Sequence, residues 1–315
     1  MSTIPDFAED VQLDSLDEPP SRPGIDEITG IAADEGDGLL TGAALKSMLN
    51  AGLRDGFGFN PLNLTFLAQE GEACPINAGP GMVTLIGGAP GAGKSALVEQ
   101  LGFGVVERNP EARFLIANIE LSPKVLLCRQ LGRLTAEHGL AVNPYNIMKG
   151  TTLPSEQERL TEAARRLEST LDRVCIVQQP HRLHAITKEI ERFEPTIAAW
   201  DYVQRITADA EADSRINAGM VMQSARAIAD RGVAVIAVSA LARQKGASGS
   251  SYADAGLASF RESAELEYGA DQAVAINTTS DGPRLDCVKN RYGMTGKYPS
   301  AFNGQSLRWK IGGRA

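Results

Sequence analysis

Eight consecutive residues, Gly88-Ala89-Pro90-Gly91-Ala92-Gly93-Lys94-Ser95, fill every position of the pattern G-x-x-x-x-G-K-[ST]. That run constrains the fold more than any other feature of the chain. A loop of this kind works only between a buried strand and the start of a helix, where backbone N–H groups and the positive end of the helix dipole converge on phosphate. The flanks supply both partners. Met82-Val83-Thr84-Leu85-Ile86 reads as a strand entering the loop, and Ser95 to Val106 as a helix leaving it. In that setting Gly88, Ala89, Pro90, Gly91, Ala92, Gly93, Lys94, Ser95 and the adjoining Ala96 form a phosphate-binding stretch. Lys94 presents a charge to the β- and γ-phosphates, and the Ser95 hydroxyl is a ligand for Mg²⁺.

After the loop, apolar runs alternate with helical patterns. Strands are expected at Phe114–Ile119, Val174–Val177, Ile197–Trp200 and Val233–Val238. One helix follows Ser122 as cap and Pro123 at its first position, ending before Gly139. A second is entered through the capping-box spacing of Ser155 and Glu158 and runs to Leu171. A third covers Ser214 to Arg231 and stops at Gly232. Continuous apolar strands between helices imply a mostly parallel sheet with helices on both faces, an α/β fold. Beyond Ala273 the runs at Ala273–Asn277, Leu285–Lys289 and Leu307–Lys310 shorten, which predicts antiparallel strands at the C-terminal end of the sheet.

The net charge of −8 is concentrated at one end. Residues 1–40 hold eleven acidic residues and only Arg22 as a base, leaving 28 acidic and 30 basic residues in the remainder. With Pro5, Pro19, Pro20 and Pro23 and few large apolar side chains, 1–40 reads as an acidic disordered tail. It serves solubility or docks a basic protein partner. Residues 41–81 read as a linker: a helix capped by Thr41, with Leu45, Met48, Leu49 and Leu53 on one side, then a loop-rich approach. That apolar stripe must bury against its own domain or a neighbouring subunit. Residues 82–315 form the main domain. No apolar run approaches the ~18 residues of a membrane span, and the N-terminus lacks a secretory h-region. Cys74, Cys128, Cys175 and Cys287 are scattered without a paired motif. A cytoplasmic location with reduced thiols is expected. His138, His181 and His184 show no metal spacing and read as structural or surface residues.

In open parallel sheets ligands gather at the carboxyl ends of the strands. Glu120, Asp201 and Ser239 stand at such ends. Asp201 suits a carboxylate that holds a water of the metal shell, or one that caps a turn. Glu120 suits a base for an attacking water, or a charge favoured before a helix N-terminus. Lys289 and Arg291, two apart on a late strand, share a face. They fit either a solvated basic edge strand or a pair aimed at a neighbouring subunit's γ-phosphate. The stretch from Arg243 through Lys245 to Ser251 reads as a mildly basic polar loop.

Taken in order, these segments resemble the RecA-like motor domain of DnaB-type hexameric replicative helicases, over about residues 82–310. The matching runs are Gly88–Ser95, Ile119-Glu120-Leu121-Ser122, Asp201-Tyr202-Val203-Gln204, Val238-Ser239-Ala240-Leu241-Ala242-Arg243, Arg261-Glu262-Ser263, and Lys289-Asn290-Arg291-Tyr292-Gly293 followed by Ala301-Phe302-Asn303-Gly304. The resemblance implies a RecA-like P-loop NTPase fold, ATP and Mg²⁺, single-stranded DNA, and a homo-oligomer, a hexamer. It implies Glu120 as catalytic base, Asp201 with Ser95 at the Mg²⁺ site, and Arg129 near the nucleotide. Lys289 and Arg291 become fingers reaching the adjacent subunit. Arg243, Lys245, Arg261 and Glu262 lie by the DNA channel, and the helix at 41–53 docks on a neighbour. Three departures stand out. Ala240 replaces the family's switch Gln, Ala264 follows Arg-Glu-Ser in place of Gly, and no folded collar precedes the linker, as in small RepA-like relatives. The function expected is an ATP-dependent, ring-forming helicase or translocase. A RecA-like regulatory or assembly ATPase without unwinding is the alternative.

Overall fold

The computed structural model describes residues 42–55, 62–68, 74–138, 140–178, 181–209, 212–241, 244–246, 249–251, 256–260 and 264–312. The tail, Thr41 and Gly139 therefore lie outside the described residues. The chain divides into two units, Met1–Phe59 and Asn60–Ala315. In the first, helix α1 (Gly42–Asp55) forms where the spacing of Leu45, Met48, Leu49 and Leu53 predicts it, and those four side chains are exposed.

Among the described residues, the main sheet of the second unit has nine strands. They are β1 (Val83–Gly88), β2 (Phe114–Asn118), β3 (Val174–Val177), β4 (Ile197–Asp201), β5 (Ala234–Ala240), β8 (Gln272–Thr279), β9 (Gly282–Asn290), β10 (Gly296–Asn303) and β11 (Arg308–Ile311). Their spatial order is β11-β10-β9-β8-β1-β5-β4-β2-β3. Strands β8, β1, β5, β4, β2 and β3 pair in parallel, whereas β9, β10 and β11 add on antiparallel. Two expectations change here. The run at Ala273–Asn277 belongs to β8, which pairs in parallel with β1 and antiparallel with β9, so the change of direction comes one strand later. Strand β10, unforeseen because Pro299 interrupts its pattern, fills the place between β9 and β11; opposite Arg284, Pro299 sits at the end of the paired stretch with β9.

Helices α2 (Lys94–Arg108), α3 (Pro123–Thr135), α4 (Pro144–Lys149), α5 (Gln157–Leu171), α6 (Leu183–Phe193), α7 (Ser214–Ala229) and the short α8 (Ala264–Gly269) connect these strands. The apolar strands supply both faces because alternate residues point opposite ways. On β5, Ala234, Ile236 and Val238 join a core with Leu97, Leu101, Leu134 and Leu167 of α2, α3 and α5. Val235 and Ala237 join the opposite core with Ile186, Ile190, Val221 and Met222 of α6 and α7. Residues 62–68 and 74–78 also pack in the second unit: Leu64, Leu67 and Ile76 are buried, and Leu62 N–H donates to the Ala78 carbonyl at 2.7 Å.

Helix entries differ from the sequence expectation in detail. Ser122 precedes α3 in extended conformation, but its side chain caps no N–H. Before α5 the reciprocal bond comes from Glu156, whose carboxylate accepts from Leu153 N–H at 2.7 Å, and a 3₁₀ turn over Pro154–Glu156 shifts the entry from the Ser155 spacing. Asp213 caps α7, accepting from Arg215 and Ile216 N–H at 2.9 Å each. The stretch expected as a polar loop contains two short antiparallel strands, β6 (Gln244–Gly246) and β7 (Gly249–Ser251). Among the described residues no helix is long and apolar enough to cross a membrane. His181 is buried, with its Nε2 3.2 Å from the Val177 carbonyl.

Candidate nucleotide site at the carboxyl ends of the strands

Strand β1, buried along its whole length, delivers Gly88 to the loop. Gly91 at φ 77° and Gly93 at φ 85° adopt the left-handed backbone that closes it. Ala92 N–H donates to the Ala89 carbonyl at 3.1 Å, and α2 then starts at Lys94. The Lys94 ammonium donates to the carbonyls of Gly88 and Ala89, each at 2.9 Å. Burial lowers its pKa, and the charges of Asp201 and Glu120 oppose that shift.

The partners arrive from three other strand ends and from α3. Register places Asn118 of β2 opposite Asp201 of β4. The Asn118 amide donates to Asp201 Oδ2 at 3.1 Å, while its Oδ1 accepts from the N–H groups of Glu120 and Leu121 at 3.0 and 2.9 Å. One side chain thus fixes both acids. Asp201 is only 4% exposed; burial raises its pKa, the Ser95 hydrogen bond lowers it, and the nearby charge of Glu120 raises it further. Glu120, on the turn after β2, is exposed to the cavity mouth. Arg129 reaches the same space from α3.

Together Pro90, Gly91, Lys94, Ser95, Glu120, Arg129 and Asp201 line a cavity of about 430 Å³, with Tyr202, Ala240, Phe302, Gly304 and Leu307 on its other walls. A groove of about 510 Å³ between α6 and α7 lies at the amino ends of the strands and contains none of these groups; position and chemistry favour the loop cavity. The sequence motifs did not indicate the aromatic wall. Phe302 stacks on Trp309 with centroids 4.8 Å apart, and the Trp309 indole N–H donates to the Gly93 carbonyl at 3.0 Å. A side chain at Gly93 would come within 3.0 Å of Trp309 Cζ2. Asn118 was also missed. Its one signal is a polar residue ending an apolar strand.

Ser95 and Asp201, hydrogen-bonded to each other at this cavity, offer only oxygen donors. That set suits a hard divalent cation which keeps waters and shares phosphate oxygens, so the residues fit Mg²⁺. Ser239 is buried beside the site, not in it. It accepts from the Gln204 amide at 2.7 Å, and the same amide nitrogen lies 3.3 Å from the Ala240 carbonyl.

Lys289 and Arg291 do not line the cavity. They belong to β9 and its exit, two strands from β1. The edge-strand alternative fails in its simple form, because β9 lies between β8 and β10. Its pairing with β10 nevertheless stops at Cys287, so the last residues project beyond that neighbour. Arg291 is half exposed and pairs with Asp271 at 3.0 Å; Asp271 also accepts from Arg226 at 2.6 Å and from Val83 N–H at 2.8 Å. Arg243, Arg261 and Glu262 lie outside the described residues, as does the side chain of Lys245 on β6.

The family model described as "DnaB-like helicase C terminal domain" matches residues 78–310. A solved ATPase domain aligns with a TM-score of 0.64 at 18% identity, covering 74% of this chain and 85% of that one. A DnaB-like replicative helicase, solved with its interactions with primase, aligns with a TM-score of 0.63 at 18% identity, over 74% of this chain and 57% of that one. No curated protein sequence matches the chain.

Proposed function

Because the chain belongs to the family of DnaB-like helicase C-terminal domains, we propose that it is an ATP-hydrolysing motor that assembles into a ring, a hexamer, and moves along single-stranded DNA in replication. The division of the site carries this reading. The cavity gathers Lys94, Glu120, Arg129 and Asp201, while Lys289 and Arg291 stand outside it. Phosphoryl transfer needs cations around the γ-phosphate as charge develops, and a second copy can bring the missing pair.

In this scheme the loop N–H groups and Lys94 hold the phosphates, and Arg129 faces them from α3. Ser95 and Asp201 would hold Mg²⁺, which would supply positive charge to the phosphates. Glu120, fixed through Asn118, orients the attacking water and accepts its proton. Arg291 and Lys289 of the adjacent copy stabilise the departing charge. Helix α1 docks its apolar side on a neighbour, Arg243, Lys245, Arg261 and Glu262 face the DNA channel, and the acidic residues 1–40 recruit a basic protein partner. The protein acts in the cytoplasm.

Single-stranded DNA is expected to raise ATP turnover several-fold, with an affinity that falls steeply as salt rises. Forked duplexes of each polarity then report unwinding. Ala240 in the switch position favours the second reading, a RecA-like regulatory or assembly ATPase. Turnover indifferent to DNA, with no strand displaced from either fork, establishes that one and rejects the motor.

A further inference from the structure

Glu99 lies one turn beyond the phosphate loop on α2, on the side facing α3. It is 1% exposed, among the most deeply buried acids described. Its Oε2 lies 3.2 Å from Arg129 Nε and accepts from the Gln130 amide at 3.1 Å. Its Oε1 has no hydrogen-bond partner. A carboxylate in that state disfavours folding relative to an apolar side chain of similar size. Leu97, Val98 and Leu101 fill the adjoining positions of α2. Packing alone therefore gives no reason for an acid at position 99.

Arg129 supplies the reason. It enters the cavity from one side, and Asp201 and Glu120 stand in the same space. An arginine left to choose would pair with either acid, since a charge-assisted contact at short range outweighs a solvated one. It would then occupy the carboxylates needed for the cation and the water. Glu99 Oε2 lies 3.2 Å from Arg129 Nε, the guanidinium nitrogen next to the aliphatic stem, a charge contact without hydrogen-bond geometry.

We propose that Glu99 is a positioning residue that anchors Arg129 toward the nucleotide phosphates and keeps it off Asp201 and Glu120. The proposal rests on the reading of Arg129 as a nucleotide contact, and the experiment separates the two. Glu99→Gln, Glu99→Met, Arg129→Ala and the double variant Glu99→Gln/Arg129→Ala are compared in the full-length chain at pH 8.5, where the Glu99 carboxyl is ionised, for KM and kcat with ATP, together with thermal midpoint. Both Glu99 variants are expected to fold with midpoints at or above the parent's. Their KM rises about tenfold, as small misplacements of a substrate-positioning group cost, while kcat changes less than twofold. Arg129→Ala raises KM at least as much, and the double variant matches Arg129→Ala alone, because Glu99 acts only through Arg129. Glu99→Asp, which restores the charge, recovers part of the loss.

Two results overturn the proposal while leaving Arg129 as a nucleotide contact: a KM unchanged in both Glu99 variants when Arg129→Ala raises it, or additive effects in the double variant. An unchanged KM in Arg129→Ala removes Arg129 from the phosphates and the proposal with it.

Discussion

At the scale of single residues, the site is governed by what burial does to charge. Lys94 and Asp201 are pushed toward their neutral forms by desolvation, a shift that each one's charge partly opposes in the other and that the Ser95 hydrogen bond also opposes at Asp201. Glu99 has less help: burial pushes its pKa up to about 8 from the ordinary 4.5, with Arg129 opposing. The sign of the resulting pH dependence is fixed. Between those two values the folded chain keeps a proton that the unfolded chain releases, so stability falls as pH rises through that window. Below it both states are protonated, and above it both are ionised. The thermal midpoint is expected to drop from pH 5 to pH 8.5, and Glu99→Gln to flatten that drop by several degrees. Parallel pH profiles for parent and variant in differential scanning calorimetry would show that Glu99 titrates normally.

At the scale of elements, the phosphate loop is clamped from a distance. Strand β1 and helix α2 form it, but β10 and β11, more than 200 residues further on, brace its exit. Trp309 is fully buried. Its main-chain N–H donates to Gln100 Oε1 at 2.7 Å, and its carbonyl accepts from Gln100 Nε2 at 2.9 Å. Its ring stacks on Phe302 and bonds Gly93. Truncation leaves a cavity under the loop, so Trp309→Ala is expected to cost about 3–5 kcal/mol and to raise the KM for ATP. Trp309→Phe keeps a stacked ring and loses the indole hydrogen bond and part of the ring volume, a smaller cost of about 1–2 kcal/mol. Urea unfolding of the two variants reads both figures; equal losses would mean that the ring itself contributes nothing.

At the scale of the whole molecule, the question is which copy supplies which half of the chemistry. Arg291 is tied within its own chain to Asp271, which also holds Val83 at the root of the loop strand and Arg226 on α7. As the proposed finger toward a neighbour, Arg291 would thereby be attached to the strand that carries its own loop. If the trans assignment holds, Glu120→Gln and Arg291→Ala are each expected to cut turnover by about a hundredfold or more. Mixing the two inactive proteins restores activity, since mixed interfaces pair an intact Glu120 with an intact Arg291. A mixture as inactive as its parts, in rings shown to exchange subunits, would sink the assignment.

The sequence by itself determined where β1, α2, β2, β4 and β5 lie along the chain. β2, β4 and β5 are apolar runs with Asn118, Asp201 and Ser239 at or next to their ends, β1 runs into the loop glycines, and the loop pattern needs only local backbone geometry. Parallel pairing and helices on both faces followed, because runs without alternation must be covered twice. Only the tertiary structure decided the rest. Pro299 hid β10, and Ser155 pointed to a cap that Glu156 provides. No local pattern reveals that Phe302 walls the cavity with Trp309 stacked behind it, that Asn118 serves Asp201 and Glu120 together, or that Glu99 lies against Arg129. Those are contacts between elements far apart in sequence, and sheet order and register bring them together. A motif records what a segment needs from its own backbone, whereas the strength and direction of a buried charge depend on neighbours supplied by the fold.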